Sequence, residues 1–176
     1  MQKNTTTIYT NSVQTPLGEM LAATTENGIC LLEFTDSKRL EWQIAALQKN
    51  YSAEIKQHRQ GKHPLLKQLD EQLQAYFSAE LKEFELPLDS KGTEFQMQVW
   101  DALLTIPYAE TRCYQEQATA IGKPRAFRAV ASANRNNRIG IIIPCHRVIA
   151  KNGSLAGYGG GLQRKAFLLE LEKNNQ

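Results

Sequence analysis

A chain of 176 residues has room for one large domain or two small ones, and for a real core. With 41% hydrophobic and 22% charged residues it has the composition of an ordinary globular protein, which excludes a fibrous or low-complexity chain. The formal charge of +3 hides a split, because residues 111–165 hold ten basic side chains and one acid (a local +9), leaving −6 for the rest. That segregation fits a polyanionic partner for the C-terminal half about as well as it fits a plain solvated face. The first seven residues are polar and lack the apolar core of a secretory leader. The apolar run at Ile141, Ile142 and Ile143 is far too short to cross a bilayer, so no membrane is expected. Cys30, Cys113 and Cys145 show no paired spacing, which speaks against a disulfide framework or a zinc site and for a reducing, cytoplasmic setting.

In chain order, residues 8–13, 18–25 and 28–34 read as strands, with Asn27 and Gly28 as the hairpin turn between the last two. Leu40, Ile44 and Leu47 then recur at helical spacing. A second amphipathic helix places Leu65, Leu69, Leu73 and Tyr76 on one side. His58 and His63 lie in polar sequence and read as surface residues rather than ligands. The first domain is thus taken as residues 1–90, a small antiparallel sheet with helices, and residues 89–92 look like the linker to a second domain, 91–176.

Thr93 followed by Gln96 is a capping box, opening a helix that buries Phe95, Val99 and Leu103 and stops before Pro107. A short helix over residues 114–121 follows and is broken at Gly122. Pro124 suits the first turn of another helix, running to about Asn134, where its missing N–H costs nothing. Two short helices around a Gly-containing turn make a helix-turn-helix candidate. On the second, Arg125, Arg128, Ser132 and Arg135 share one face, Ala126, Val130 and Ala133 form the neighbouring apolar one, and Ala129 and Ala131 keep the rest slim. Such a row is commonly a solvated face; the surrounding +9 segment favours phosphate contact with DNA.

Ile141 to Val148 sets Cys145 and His146 side by side after a short buried-strand pattern that Pro144 interrupts. A thiol becomes a strong nucleophile as thiolate, which a basic neighbour and cationic surroundings favour. Adjacent residues seldom hydrogen-bond directly, so His146 would act through a water. Read alone, a cysteine after an isoleucine run is more often an inert core thiol. Residues 163–173 read as a terminal helix on whose apolar side Glu172 falls between Leu168 and Leu169; a carboxylate there needs a partner, and an imidazole would serve.

Taken together, Pro-Cys-His-Arg-Val at 144–148, Gly122-Lys-Pro with Arg128-Ala-Val, Asn137, Gly157-Tyr-Gly-Gly-Gly161 and the closing Leu168-Leu-Glu-Leu-Glu172 resemble the O6-alkylguanine-DNA alkyltransferases over residues 93–172, and more loosely over the N-terminal half. The resemblance implies a ribonuclease H-like N-terminal domain and a mostly helical, winged helix-turn-helix-like C-terminal domain. It implies that Cys145 takes an alkyl group from O6 of guanine, irreversibly and once per chain, without a cofactor; activity on O4-alkylthymine is left open. By the same resemblance His146 is the water-linked base, Glu172 orients it, Asn137 braces the turn before Cys145, and Tyr114 donates towards the leaving guanine. Arg128 would fill the space of an extruded nucleotide, with Arg125, Ala126, Ala129, Ser132 and Arg135 against the minor groove of duplex DNA. Val148, Tyr158, Gly159 and Gly160 would wall the alkyl group, with a backbone N–H serving at Gly159 where some relatives carry a serine. A monomer is expected. Thr24 and the lone Cys30 argue against the N-terminal zinc that some relatives hold. The rivals are a lesion-binding protein of the alkyltransferase-like class, from which the presence of Cys145 separates it; a cysteine hydrolase, which would turn over; and a plain helix-turn-helix transcription factor, which would prefer a sequence.

Overall fold

The computed structural model describes residues 6–57 and 63–176, so the reading of His58 lies outside the described residues. The chain divides into two compact units, Met1–Lys91 and Gly92–Gln176.

In the first unit, β1 (Thr7–Thr15), β2 (Gly18–Thr24) and β3 (Ile29–Phe34) form the expected meander, and α1 (Leu40–Tyr51), β4 (Glu54–Gln57) and α2 (Pro64–Phe77) follow. The strand order is β3-β2-β1-β4. β4 pairs with β1 in parallel, Ile8 opposite Ile55, so the sheet is mixed and the expected purely antiparallel sheet is corrected. The strand was invisible in Glu-Ile-Lys-Gln because one isoleucine among polar residues carries no alternation; α1 ending on a left-handed Ser52 (φ 48°) sends the chain back beside β1. Ile8, Ala23, Cys30, Leu31, Leu47 and Tyr51 make one apolar cluster. The buried stripe of α2 is Leu66, Leu69, Leu73 and Tyr76, with Leu66 in place of the expected Leu65. His63 is more than a plain surface residue: its Nδ1 accepts the Leu65 N–H at 3.3 Å at the start of α2, and its ring stacks on Tyr9. Asp89, read as linker, is tied to the sheet: its N–H donates to the Ile29 carbonyl at 2.8 Å and its carboxylate accepts from the Thr25 hydroxyl at 2.5 Å. Gly28 is required by this closure, since a Cβ there would lie 2.6 Å from the Pro87 carbonyl oxygen.

The second unit contains α3 (Glu94–Leu104), β5 (Arg112–Cys113), α4 (Tyr114–Ala120), α5 (Phe127–Arg135), a 3-10 turn (Cys145–Arg147), β6 (Val148–Ile149) and α6 (Leu162–Asn174). The capping box is formed as read: the Gln96 N–H donates to Thr93 Oγ1 at 3.2 Å, and Gln96 Oε1 accepts the Thr93 N–H at 3.0 Å. α3 buries Val99, Trp100 and Leu103, while Phe95 is only half-buried. Trp100 Nε1 donates to the Ala133 carbonyl at 2.9 Å, and the buried amides of Gln117 and Asn134 bond each other reciprocally at 3.0 and 2.7 Å. These bonds fix α3, α4 and α5 against one another, because a buried amide left unpaired would cost about 1–3 kcal/mol.

α5 starts three residues later than expected. The Ala126 N–H donates to the Lys123 carbonyl at 2.8 Å, closing a separate turn in which Pro124 takes the second place, as proline's fixed φ favours. Arg125 therefore stands before the helix and Ala126 is its N-cap. Residues 141–143 are turn, not strand, and Ile141 adopts a positive φ of 69°, a strained geometry for a β-branched side chain.

Candidate active site around Cys145

The position of Cys145 follows from the turn that precedes it. Asn137, buried, donates from Nδ2 to the Ile143 carbonyl at 2.8 Å, and its Oδ1 accepts the Ile139 N–H at 3.0 Å, so one amide staples both ends of the strained segment. The same Nδ2 lies 3.2 Å from Cys145 Sγ and donates to it. The 3-10 turn then presents Cys145, His146 and Arg147 in succession, all buried. β6 leaves that turn to pair in parallel with β5, Arg112 opposite Val148 and Cys113 opposite Ile149. This two-residue ladder brings Tyr114, the first residue of α4, to the residues that follow Cys145.

α6 supplies the floor. Its buried residues are Lys165, Leu168 and Glu172, so the inward stripe carries two charges, while Phe167 is exposed. Glu172 Oε1 accepts from His146 Nε2 at 2.7 Å, as the notion of a partnered carboxylate required. Glu172 also accepts from Arg147, Nε to Oε2 at 2.9 Å and Nη2 to Oε1 at 3.0 Å, and from the Ala109 N–H at 3.1 Å. Against the opposing pull of burial, these donors hold its carboxyl down at about 2. His146 is held below its ordinary value, first by burial and then by the charges of Arg147 and Lys165, with Glu172 pulling the other way. Its Nδ1 has no hydrogen-bond partner among the described residues.

Lys165 and Arg147 went unremarked as site residues in the sequence. Lys165 donates to the carbonyls of Val148 and Ala156, the latter at 2.7 Å, and burial lowers its ammonium to about 8. Tyr114 donates to the same Ala156 oxygen at 2.8 Å, and burial followed by the charge of Cys145 raises its phenol. Gly157 makes room for that phenol: at its φ of 70° a Cβ would sit 2.7 Å from Tyr114 Oη. Val148 is buried; Tyr158, Gly159 and Gly160 lie in the loop beyond, where the Gly161 N–H donates to the Tyr158 carbonyl at 3.2 Å and Arg164 Nη1 to that of Gly160 at 3.2 Å.

Away from the thiol, Arg128, Ala129, Ser132 and Arg135 are exposed together on α5, whose inner side is Val130, Ala133 and Asn134. Arg125 is exposed as well but leaves this face, because it belongs to the preceding turn, and Ala126 is half-buried. The exposed ring of Phe127 lies beneath the Arg128 guanidinium at 5.7 Å, an aromatic the sequence reading passed over. Of the ten basic residues in 111–165, Arg138, Arg147 and Lys165 are buried and belong to the interior. Among the described residues no cluster of histidine, cysteine, aspartate or glutamate could hold a metal ion, and no helix is long and apolar enough to cross a membrane.

The helical unit thus sets a buried, hydrogen-bonded thiol beside a histidine–carboxylate pair and carries an arginine-bearing helix on its surface. Residues 94–174 match the model described as 6-O-methylguanine DNA methyltransferase, DNA binding domain, and residues 8–90 match its ribonuclease-like domain. A methylated-DNA–protein-cysteine methyltransferase of Methanosarcina barkeri is 45% identical over 168 residues, covering 96% of this chain and 99% of its own. The crystal structure of Mycobacterium tuberculosis O6-methylguanine methyltransferase superposes with a TM-score of 0.80 at 40% identity, covering 96% of this chain and 94% of that one, and the same enzyme in complex with DNA matches equally well. The chain belongs to the methylated-DNA–protein-cysteine methyltransferase family.

Proposed function

We propose that the protein repairs DNA by moving an alkyl group from O6 of guanine to Cys145 Sγ, once per chain. The observation that carries this reading is the Asn137 N–H aimed at Cys145 Sγ at 3.2 Å within a buried turn whose next residue is the histidine paired to Glu172. A donor at that distance favours thiolate over thiol. The thiol proton passes to His146, directly or through one water, and the sulfur forms a bond to the alkyl carbon as the carbon–O6 bond breaks. The electron pair stays on guanine, which takes up one proton, so the count closes with the proton the thiol gave up. In-line attack needs sulfur and carbon held about 3–3.5 Å apart, and the thioether formed has no leaving path back.

An O6-alkyl group within a duplex is out of reach of a buried sulfur, so the nucleotide must be turned out of the stack. Arg128, exposed beside Phe127 at the start of α5, would fill the gap. Ala129 and Ser132 keep that surface slim enough for a narrow minor groove, and Arg135 supplies phosphate contact. Tyr114 would shift its O–H from the Ala156 carbonyl to the departing guanine, and Lys165 would keep that carbonyl satisfied. Three cysteines outside any disulfide fit a reducing cytosol, where the protein would act as a monomer.

The test is stoichiometric. A duplex carrying one O6-methylguanine should lose its methyl group to one equivalent of protein, with the mass gain on the Cys145 peptide. Turnover beyond one equivalent, or tight binding without a mass gain, would replace the reading with a hydrolase or a lesion-binding protein.

A further inference from the structure

The Glu172 carboxylate accepts four hydrogen bonds: from His146 Nε2 and Arg147 Nη2 on Oε1, and from Arg147 Nε and the Ala109 N–H on Oε2. That is as many as its lone pairs provide for. Arg147 also donates from Nη1 to the Ile106 carbonyl at 2.6 Å, so its guanidinium spans α6 and the 105–111 segment. So costly a buried cation beside a catalytic base calls for a reason beyond tethering a loop.

A histidine facing a buried carboxylate with no other counter-charge becomes imidazolium, because an uncompensated carboxylate there is the dearer alternative. An imidazolium cannot accept the proton that alkyl transfer must remove from Cys145. A guanidinium is a permanent cation, and that of Arg147 meets the carboxylate in the bidentate geometry that suits it best. With Glu172 already compensated, a second cation on His146 would be buried without a counter-charge. The ionised carboxylate accepts from Nε2, which therefore carries the hydrogen, and the unpartnered Nδ1 keeps its lone pair.

We propose that Arg147 is a positioning residue for the reaction: by compensating Glu172 it holds His146 as the neutral Nε2–H tautomer, whose Nδ1 lone pair is left to receive the Cys145 proton. The inference rests on the alkyl-transfer reading of Cys145. Around His146 the charged and titratable groups are Glu172 and Lys165 from α6, Arg147 and Cys145 from its own turn, and Tyr108 beside the guanidinium; on α3, which also packs here, Glu94 and Asp101 are exposed. Lys165 is a second cation that disfavours imidazolium, so the two basic groups act in one sense.

The experiment follows alkylation of Cys145 by iodoacetamide against pH, read as mass on the Cys145 peptide, together with the imidazole nitrogen and carbon resonances of His146. In the wild-type protein at pH 7 the resonances should report the neutral Nε2–H form. In Arg147→Met the imidazole should be cationic at that pH, and the acid limb of the rate profile should move up by about one pH unit or more. Arg147→Lys, which restores the charge without the fork, should recover most of the shift, and in the Arg147→Met, Glu172→Gln double variant the limb should return to low pH. A wild-type His146 that is cationic at pH 7 overturns the proposal, whether or not Arg147→Met folds. So does an Arg147→Met rate that is lower at every pH with an unmoved midpoint, which would mark a structural role alone. Because iodoacetamide needs neither DNA nor alkylguanine, failure of methyl uptake from the duplex would sink the transfer reading and leave this measurement standing.

Discussion

Each unit of the chain buries a free cysteine, and the two thiols have opposite surroundings. Cys30 sits in β3 within the apolar cluster, where burial first and the charge of Asp89 next push its thiol up to about 12. Cys145 is also buried, at 8% exposure, but its sulfur receives the Asn137 N–H, its charge is felt by Lys165, and His146 follows it in the same turn. Burial by itself silences a thiol, since it penalises the thiolate; in the proposed reaction a donor, a cation and a base around the same buried sulfur would reverse the balance. On the proposed reading, what separates the two cysteines is the polar content of the wall, not depth. The largest effect expected of any substitution tests this directly. Cys145→Ser should abolish methyl uptake while leaving duplex binding near its normal strength, whereas Cys30→Ala and Cys113→Ala should repair normally. Mass analysis of the three variants after incubation with methylated duplex checks it; uptake by Cys145→Ser would break the contrast.

The two units also bury their carboxylates differently. Glu33 pairs with Arg39 at 2.7 Å, and the arginine side chain remains 23% exposed. Glu172 is fully enclosed, with Arg147 at 9%. Removing one partner of an enclosed pair strands the other, at about 3–5 kcal/mol, while a partly wetted pair leaves its survivor in water and costs far less. Glu172→Ala should therefore destabilise strongly and Glu33→Ala mildly, by denaturant titration. The pH dependence sharpens the point. Glu172 falls from an ordinary 4.5 to about 2 on folding, so its contribution is complete above about 4.5 and is lost as pH falls towards 2. His146, lowered on folding, adds loss in the same direction, since below 6.5 the unfolded chain binds a proton that the folded one refuses. Glu172→Gln should flatten the part of the acid slope below pH 4.5, and an unchanged slope there would place the titrating group elsewhere.

The same contrast explains what was readable in advance. The capping box at Thr93, the first three strands and the stripe over Leu69, Leu73 and Tyr76 follow local rules that nothing else in the fold contests. Glu172 was legible because a carboxylate among leucines is anomalous. Its dependence on Arg147 was not, because Arg147 joined a count of surface charge and nothing in sequence spacing ties residue 147 to 172 or to the Ile106 carbonyl. Lys165 was hidden likewise: one turn before Leu168, a lysine reads as the wet side of a helix, yet its stem and ammonium are the inner side. Periodicity counts apolar residues, so it misreads a helix whose buried stripe is charged. Pro124 failed for another reason, since a proline fits the first helical turn and the second place of a β-turn equally well, and only the Ala126 to Lys123 bond decides between them.

The smallest expected effect concerns which basic residues meet DNA. Counting ten in residues 111–165 overstates the surface, because Arg138, Arg147 and Lys165 are spent inside. Arg135, exposed in the last turn of α5, meets a phosphate in the proposed reading, so Arg135→Ala should lower the log–log salt slope of duplex binding by about 0.9. The opposing effect is on the helix: a cation in the last turn is worth about 0.3–1 kcal/mol against the macrodipole, so the variant also loses some stability. The two separate cleanly in the measurement. Lost stability reduces the binding-competent fraction by one factor at every salt concentration and leaves the slope alone, whereas a lost phosphate contact changes the slope itself. Arg138→Ala, which takes away an inner charge that lies 5.7 Å over the Trp100 ring, should do the reverse, costing stability at constant slope. Fluorescence anisotropy with undamaged duplex from low to moderate salt would show both, and an Arg138→Ala slope reduced as much as that of Arg135→Ala would mean that the buried cations reach the nucleic acid after all.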